Sequence, residues 1–198
     1  MDTKAKRTTQ FIVKTVAPIF IKQGYVGTSM SHLTAATGLT KGAIYGNFKN
    51  KETLALAAFE FSTNQLLNKF DELLSAEKNA LDKIYSLINF YSNYDVFAMP
   101  LGGCPIISVG VDTQHNNKLL ATACKEIIRK LESKIALVLE DGIHAGEIKI
   151  PVPPHQFAKQ LYTMLNGAVC MATIIRDRAY LQKTTAYISY LIKKEIKS

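Results

Sequence analysis

The chain has 198 residues, 47% of them hydrophobic, and a formal net charge of +8 from 24 Lys+Arg against 16 Asp+Glu. That length allows a small domain beside a larger one; the absence of any run of eighteen apolar residues excludes a membrane-spanning helix, and three cysteines make no disulfide framework. The polar first seven residues lack a signal-peptide core, so a cytoplasmic protein with reduced thiols is expected.

The positive charge is uneven. Residues 1–60 hold eight Lys/Arg against three acids, a balance of +5, whereas residues 61–198 hold sixteen against thirteen, a balance of +3. A basic small domain is the electrostatic footprint of a duplex binder, although charge alone does not separate such a domain from other basic proteins.

In chain order, Phe11, Ile12, Val16, Ile19 and Phe20 recur at helical spacing, and Gly24-Tyr25 closes this first helix. Pro18 lies within it and predicts a kink near Lys14, because proline removes a hydrogen bond at a cost of about 3 kcal/mol. A short helix follows over 28–37, with Thr28 as its cap and Met30, Leu33 and Ala36 as its buried side. Gly38 suits the left-handed position that ends a helix. Thr40 suits an N-cap, its hydroxyl accepting an orphan backbone N–H. The turn and a half of helix after Thr40 carries small residues, Lys41 and Tyr45. A helix so short cannot stand alone in water, so neighbours must hold it and leave one face free. Small residues permit close approach to a duplex, and lysine and tyrosine can grip phosphates. Two short helices joined through Gly38-Leu39-Thr40 form a helix-turn-helix candidate. Lys51-Glu52-Thr53-Leu54 then opens a long apolar-periodic helix.

Beyond Leu54 the period stays helical, with helices expected over 51–75, 78–97, 102–111, 115–143, 154–178 and 180–196. Pro100, Gly102, Gly103 and Pro105 interrupt the middle, and Gly142, Gly146 and the Pro151-Val152-Pro153-Pro154 run separate the last two helices from those before. The segment from Met164 to Ile175 is apolar nearly all round, so it needs cover on two sides. Phe157, Leu161, Met164, Ala168, Ala172 and Ile175 can face its own domain; Gly167, Cys170, Met171 and Ile174 then require a second cover. Tyr187 with Leu191 offers a matching stripe on the last helix. A second subunit satisfies both stripes, and burial within a monomer is the alternative.

Residues 8–60 resemble the DNA-binding domain of the TetR family of transcriptional regulators. The family pattern appears as Ile19-Phe20, Gly24-Tyr25, Thr28-Ser29, Thr40-Lys41-Gly42, Tyr45-Gly46-Asn47-Phe48 and Lys51-Glu52-Thr53-Leu54, in the family's order and spacing. The resemblance implies an all-α protein. A helix-turn-helix DNA-binding domain of three helices over residues 1–50 would precede a larger helical ligand-binding and dimerisation domain over 51–198. It implies DNA contacts at Thr28, Thr40, Lys41, Gly42, Ala43, Tyr45, Asn47 and Lys51. Among these, Lys41 and Lys51 suit phosphate neutralisation, the Tyr45 hydroxyl and Asn47 amide suit phosphate oxygens, and the helix N-termini at Thr28 and Thr40 favour anions. Ala43 suits contact with a thymine methyl. Phe48 reads as core packing.

A ligand pocket is expected by the same resemblance. The aromatic run containing Phe90, Tyr94 and Phe97 supplies candidate walls, with Cys104 and Met164, although a run of this kind equally reads as helical core. Cys104 stands where a helix start can activate a thiol, or as a buried small hydrophobe. His115, His144 and His155 lack ligand spacing, so no metal is expected; Asp95 and Asp112 are too isolated for an acid pair. No cofactor fingerprint, nucleophile elbow or phosphate loop occurs. The expected protein is a cytoplasmic, homodimeric regulator, a repressor released from a double-stranded DNA operator by a small molecule, without cofactor or membrane. A constitutive regulator without ligand and a helical small-molecule enzyme are the alternatives.

Overall fold

The structure, a computed structural model, describes residues 4–196. It is all-α: ten helices and one short 3-10 turn lie among the described residues, with no β-strand. No single helix among them is long and apolar enough to cross a membrane.

The first helix, α1 (Lys4–Gly27), buries Ile12, Val13, Val16, Ala17, Phe20 and Ile21. Phe11, expected on the same stripe, is exposed. The break in α1 falls at Gly24 (φ 76°, ψ 167°) and not near Lys14. Proline's fixed φ is itself helical, whereas the positive φ at residue 24 requires glycine. α2 (Met30–Thr37) buries Leu33 and Thr37; Met30 is half-buried and Ala36 exposed, so its inner face is narrower than expected. α3 (Lys41–Tyr45) buries only Ile44, and α4 (Lys51–Ala76) follows.

The expected helix over 78–97 is two, α5 (Ala80–Ser92) and α6 (Tyr94–Ala98), because Asn93 leaves the helical region (φ −123°, ψ 25°). After the 3-10 turn Met99–Leu101, α7 (Pro105–Thr113) begins at a proline rather than at residue 102, since Gly102 and Gly103 both hold positive φ. The remaining helices are α8 (Lys118–His144), α9 (Pro154–Ile175) and α10 (Ala179–Glu195).

The chain forms two compact units. Among the described residues, one runs through Leu66 and includes Ala98–Ile127; the other comprises Leu67–Phe97 and the chain from Ile128 onward. The contact boundary falls within α4. Leu54, Ala55, Ala58 and Phe59, in the first turns of α4, are buried. In the first unit α1 packs on α2 and α7, and a Cβ at Gly102 would collide with the Pro18 carbonyl oxygen. In the second, α10 packs on α9 and α5. There Phe70, Phe90, Tyr91, Tyr94 and Phe97 form an aromatic cluster with edge-to-face geometry and one stacked pair, Tyr91–Tyr94, at 5.0 Å. Such pairs contribute about 0.5–1.5 kcal/mol beyond the area they bury.

Candidate nucleic-acid interface

Between Lys4 and Lys51 the sequence carries eight basic residues (Lys4, Lys6, Arg7, Lys14, Lys22, Lys41, Lys49 and Lys51) and no Asp or Glu. The local structure of this stretch is therefore capped without carboxylates. At the start of α2 the Ser29 hydroxyl accepts the His32 N–H at 3.2 Å, and His32 Nδ1 accepts the Ser29 N–H at 3.3 Å. Histidine here fills the place that Glu or Gln takes in the usual reciprocal box. At the other end Gly38 (φ 66°) donates its N–H to the Thr34 carbonyl at 2.9 Å, as its left-handed role requires.

Thr40 caps α3: its Oγ1 accepts the Ala43 N–H at 3.1 Å. Ile44, fully buried, anchors the helix from beneath, and Phe48 beside it is buried as expected. One buried side chain in five leaves the opposite face open, where Thr40, Lys41, Gly42, Ala43 and Tyr45 are all exposed. Lys41 Nζ stands 5.8 Å from the Tyr45 ring centroid, a cation–π spacing one helical turn along. The cap, the small residues and the Lys41 and Tyr45 side chains are thus all open to solvent. Asn50 caps the next helix, accepting the Thr53 N–H at 2.8 Å.

Two expected contacts are placed differently. Thr28 is fully buried and donates its hydroxyl to the Gly24 carbonyl at 2.6 Å. The cap is Ser29, because it is Ser29 whose backbone is extended (φ −94°, ψ 160°). Thr28 therefore closes the turn that follows Gly24 and cannot present its hydroxyl to an anion. Asn47 is half-buried and already engaged. Its Nδ2 donates to the Ala43 carbonyl at 2.9 Å and its Oδ1 accepts the Thr9 hydroxyl at 2.8 Å, tying the end of α3 to α1. Ser29 was legible as a serine three residues before a polar acceptor; Thr9, 38 residues from Asn47, has no local signal.

Lys51, at the start of α4, is half-buried, and its Nζ lies 4.5 Å from the centroid of the Tyr25 ring. Burial lowers its pKa below the usual lysine value, and the Asp112 carboxylate acts in the opposite direction.

The second unit holds most of the other expected residues. Phe90, Tyr94 and Phe97 pack against one another with centroid spacings of 5.2 to 5.8 Å, and Met164 is half-buried. Cys104 is buried in the first unit, at the start of α7, so it does not join them. Cys124, also in that unit, has its thiol pushed up to about 11, first by burial and then by Cys104. A groove of about 340 Å³ in the second unit is lined instead by Tyr85, Ile88, Asn89, Ser92, Thr185 and Ser189 among others. Of the expected interface residues, Gly167, Met171, Ile174 and Tyr187 are exposed, whereas Cys170 and Leu191 are half-buried. Ile174 is 67% exposed; Ile175, expected to face its own domain, is exposed as well, and so are Tyr180 and Tyr190.

Residues 12–58 match the family of bacterial regulatory proteins, tetR family, and residues 80–188 match the tetracyclin repressor-like C-terminal domain. A solved structure of a TetR-family transcriptional regulator from Cytophaga hutchinsonii shares 29% identity at a TM-score of 0.92, covering 100% of both chains. The fold is also that of the Bacillus subtilis transcriptional regulator FadR, solved in complex with stearoyl-CoA. That comparison has a TM-score of 0.75 and 19% identity, over 92% of this chain and 96% of the other. A cysteine mutant of the TetR-family regulator CifR, solved with 26 bp of double-strand operator DNA, matches at a TM-score of 0.80 and 17% identity. It covers 90% of this chain and 93% of its own.

Proposed function

The chain belongs to the TetR family of bacterial regulatory proteins, DNA-binding transcriptional regulators, and from that premise we propose that it is a homodimeric repressor released from its operator by a small molecule. The observation that carries the DNA-binding part is the exposed face of α3, with Lys41, Gly42, Ala43 and Tyr45 held outward over the buried Ile44. It stands in a 48-residue stretch free of acids. Lys41, Tyr45 and Lys51 meet phosphates, Gly42 and Ala43 lie closest to the base edges, and Thr40 and Ser29 present helix N-termini to the backbone. Asn47 orients α3 through Thr9.

The dimer rests on the exposed apolar stripe of Met171, Ile174, Ile175 and Tyr187. A contiguous surface of this kind marks an interaction site. A two-fold pair places the reading helices about 34–36 Å apart, one turn of the duplex. Release by ligand draws on the family, on FadR's complex with stearoyl-CoA, and on the groove near Asn89, whose volume falls in the range of small-molecule sites. A ligand that binds the weaker-binding form more tightly shifts the population and lowers operator affinity, and operator must weaken the ligand reciprocally. One observation favours the second reading, a constitutive regulator: the aromatics expected to wall a cavity fill space against each other.

The test begins by selecting bound fragments from the source genome. Ile174→Glu, which places a charge in the stripe, is expected to yield monomers by light scattering and to weaken binding to the selected fragment. A dimer of unchanged stability removes the proposed interface. The selected complex is then titrated with low-molecular-weight extract of the source cells. Release supports the ligand-responsive repressor, and operator affinity unchanged across all fractions favours the constitutive reading.

A further inference from the structure

The acid-free stretch from Lys4 to Lys51 nevertheless meets a carboxylate at the junction of α1 and α2. It belongs to Asp112 on α7, whose Oδ2 accepts the Tyr25 N–H at 2.6 Å and faces the Val26 N–H at 3.4 Å. These are the first two amides after the break at Gly24. Backbone groups removed from a helical ladder need another partner, and the carboxylate supplies it with charge-assisted bonds. The fit is close: a Cβ on Gly24 would lie 3.0 Å from the Asp112 carboxylate. Glycine at this position therefore serves twice, providing the positive φ and leaving room for the acid.

The residue whose amide is held most tightly is Tyr25, and its ring is the surface over which the Lys51 ammonium stands at 4.5 Å. The order of support runs from Asp112 to the Tyr25 backbone, from there to the ring, and from the ring to Lys51. The geometry points to Asp112 as a positioning residue for DNA binding, fixing Tyr25 so that its ring aims the Lys51 ammonium at a phosphate. This rests on the reading above that Lys51 neutralises a phosphate. A carboxylate near DNA would ordinarily repel it. Here the acid is spent on two backbone amides and faces a lysine, so its benefit through Lys51 outweighs its field at the duplex.

The full-length protein and a selected operator fragment provide the test, with affinity followed against salt. Lys51→Ala is expected to remove one phosphate contact per protomer. That lowers the slope of log affinity on log salt by about 0.9 and the affinity at 0.1 M salt by roughly eightfold for each protomer. Asp112→Ala is expected to lower both, and Asp112→Ala with Lys51→Ala together to be no weaker than Lys51→Ala alone. Tyr25→Leu keeps the backbone bonds to Asp112 and removes the ring, so it should lower the slope as Lys51→Ala does even if Asp112→Ala folds poorly. A wild-type slope in Asp112→Ala or Tyr25→Leu, with Lys51→Ala reduced, overturns the inference and leaves the phosphate contact standing. Tighter binding by Asp112→Ala overturns it too, making the acid a simple brake. A wild-type slope in Lys51→Ala removes the phosphate reading, and the inference falls with it.

Discussion

Thr40 is assigned two tasks by its position, and they can be separated. Its hydroxyl caps α3, accepting the Ala43 N–H at 3.1 Å, and in the proposed docking the same exposed helix N-terminus would face the phosphates of a duplex. Thr40→Ala removes the cap, at a typical cost of about 1 kcal/mol. For a chain of this size that corresponds to a fall in Tm of roughly 2–4 °C. Thr40→Ser keeps the oxygen and should change little. Thr40→Asp keeps the cap, since aspartate ranks with serine at this position, and improves the interaction with the helix dipole. Stability should therefore hold or rise. The new charge, however, stands about 5 Å from a phosphate if the helix docks as proposed. Coulomb's law gives a repulsion of about 0.8 kcal/mol at the dielectric of water and about 3.3 kcal/mol at an effective dielectric of 20. Operator affinity should fall between about fourfold and about 250-fold per protomer. Thermal unfolding followed by circular dichroism reads the first effect, and fluorescence anisotropy on the selected fragment reads the second. Thr40→Asp binding as tightly as Thr40→Ser refutes the orientation of α3. A Tm for Thr40→Asp as low as that of Thr40→Ala refutes the cap.

Two further expectations follow from bonds described above. Thr9→Val and Asn47→Ala each break the link between α1 and α3, so their effects on operator affinity should overlap. The double variant should fall short of the sum by about 1 kcal/mol, the net value of one hydrogen bond, and Asn47→Ala should leave the salt slope intact; a slope lowered by about 0.9 returns Asn47 to the phosphate contacts. Cys124 should resist alkylation at pH 8 in the folded protein and react once the chain is unfolded. Because its folded pKa is raised from 9.0 to about 11, its contribution to stability is fully present below pH 9.0 and is lost as pH rises through about 11. Cys124→Ser should flatten the decline of unfolding free energy over that window, and an unchanged decline assigns it to other groups.

What could be read from the sequence is what short-range chemistry determines. Gly38 and Thr40 do what their residue types suggest, because a left-handed C-terminus and an N-cap are decided within four residues. The same logic misplaces the cap of α2 by one residue: threonine and serine are both good caps, and only the extended backbone at Ser29 chooses between them. Pro18 and Gly24 show how a local rule can be outranked. Proline carries the larger nominal cost, but its φ fits a helix, and the break goes to the glycine beside which Asp112 needs space. The aromatic run around Phe90 reads identically as cavity wall or as core, because a partner such as Phe70, edge-to-face with Phe90 and Tyr91, lies on a different helix.

Asp112 and Tyr25 are 87 residues apart, Thr9 and Asn47 are 38 apart, and no periodicity connects either pair. Their absence from a sequence reading has a physical cause that is particular to a DNA-binding head. A stretch that must approach a polyanion excludes acids from its own surface, so the carboxylates that ordinarily cap and brace helices are missing from it. The substitutes are His32 in the box at Ser29, neutral Thr9 and Asn47 between α1 and α3, and one acid delivered from α7 to the far side of Tyr25. The charge pattern that marks residues 4–51 as a duplex binder therefore also displaces part of its bracing to residues remote in sequence. A variant that moved the acid inward, such as Val26→Asp, would test this directly. It would place a carboxylate within the stretch, and operator affinity should fall and recover with added salt as repulsion is screened. A loss that salt does not relieve would locate the damage in the fold of the α1–α2 junction, and the exclusion of acids would then need another reason.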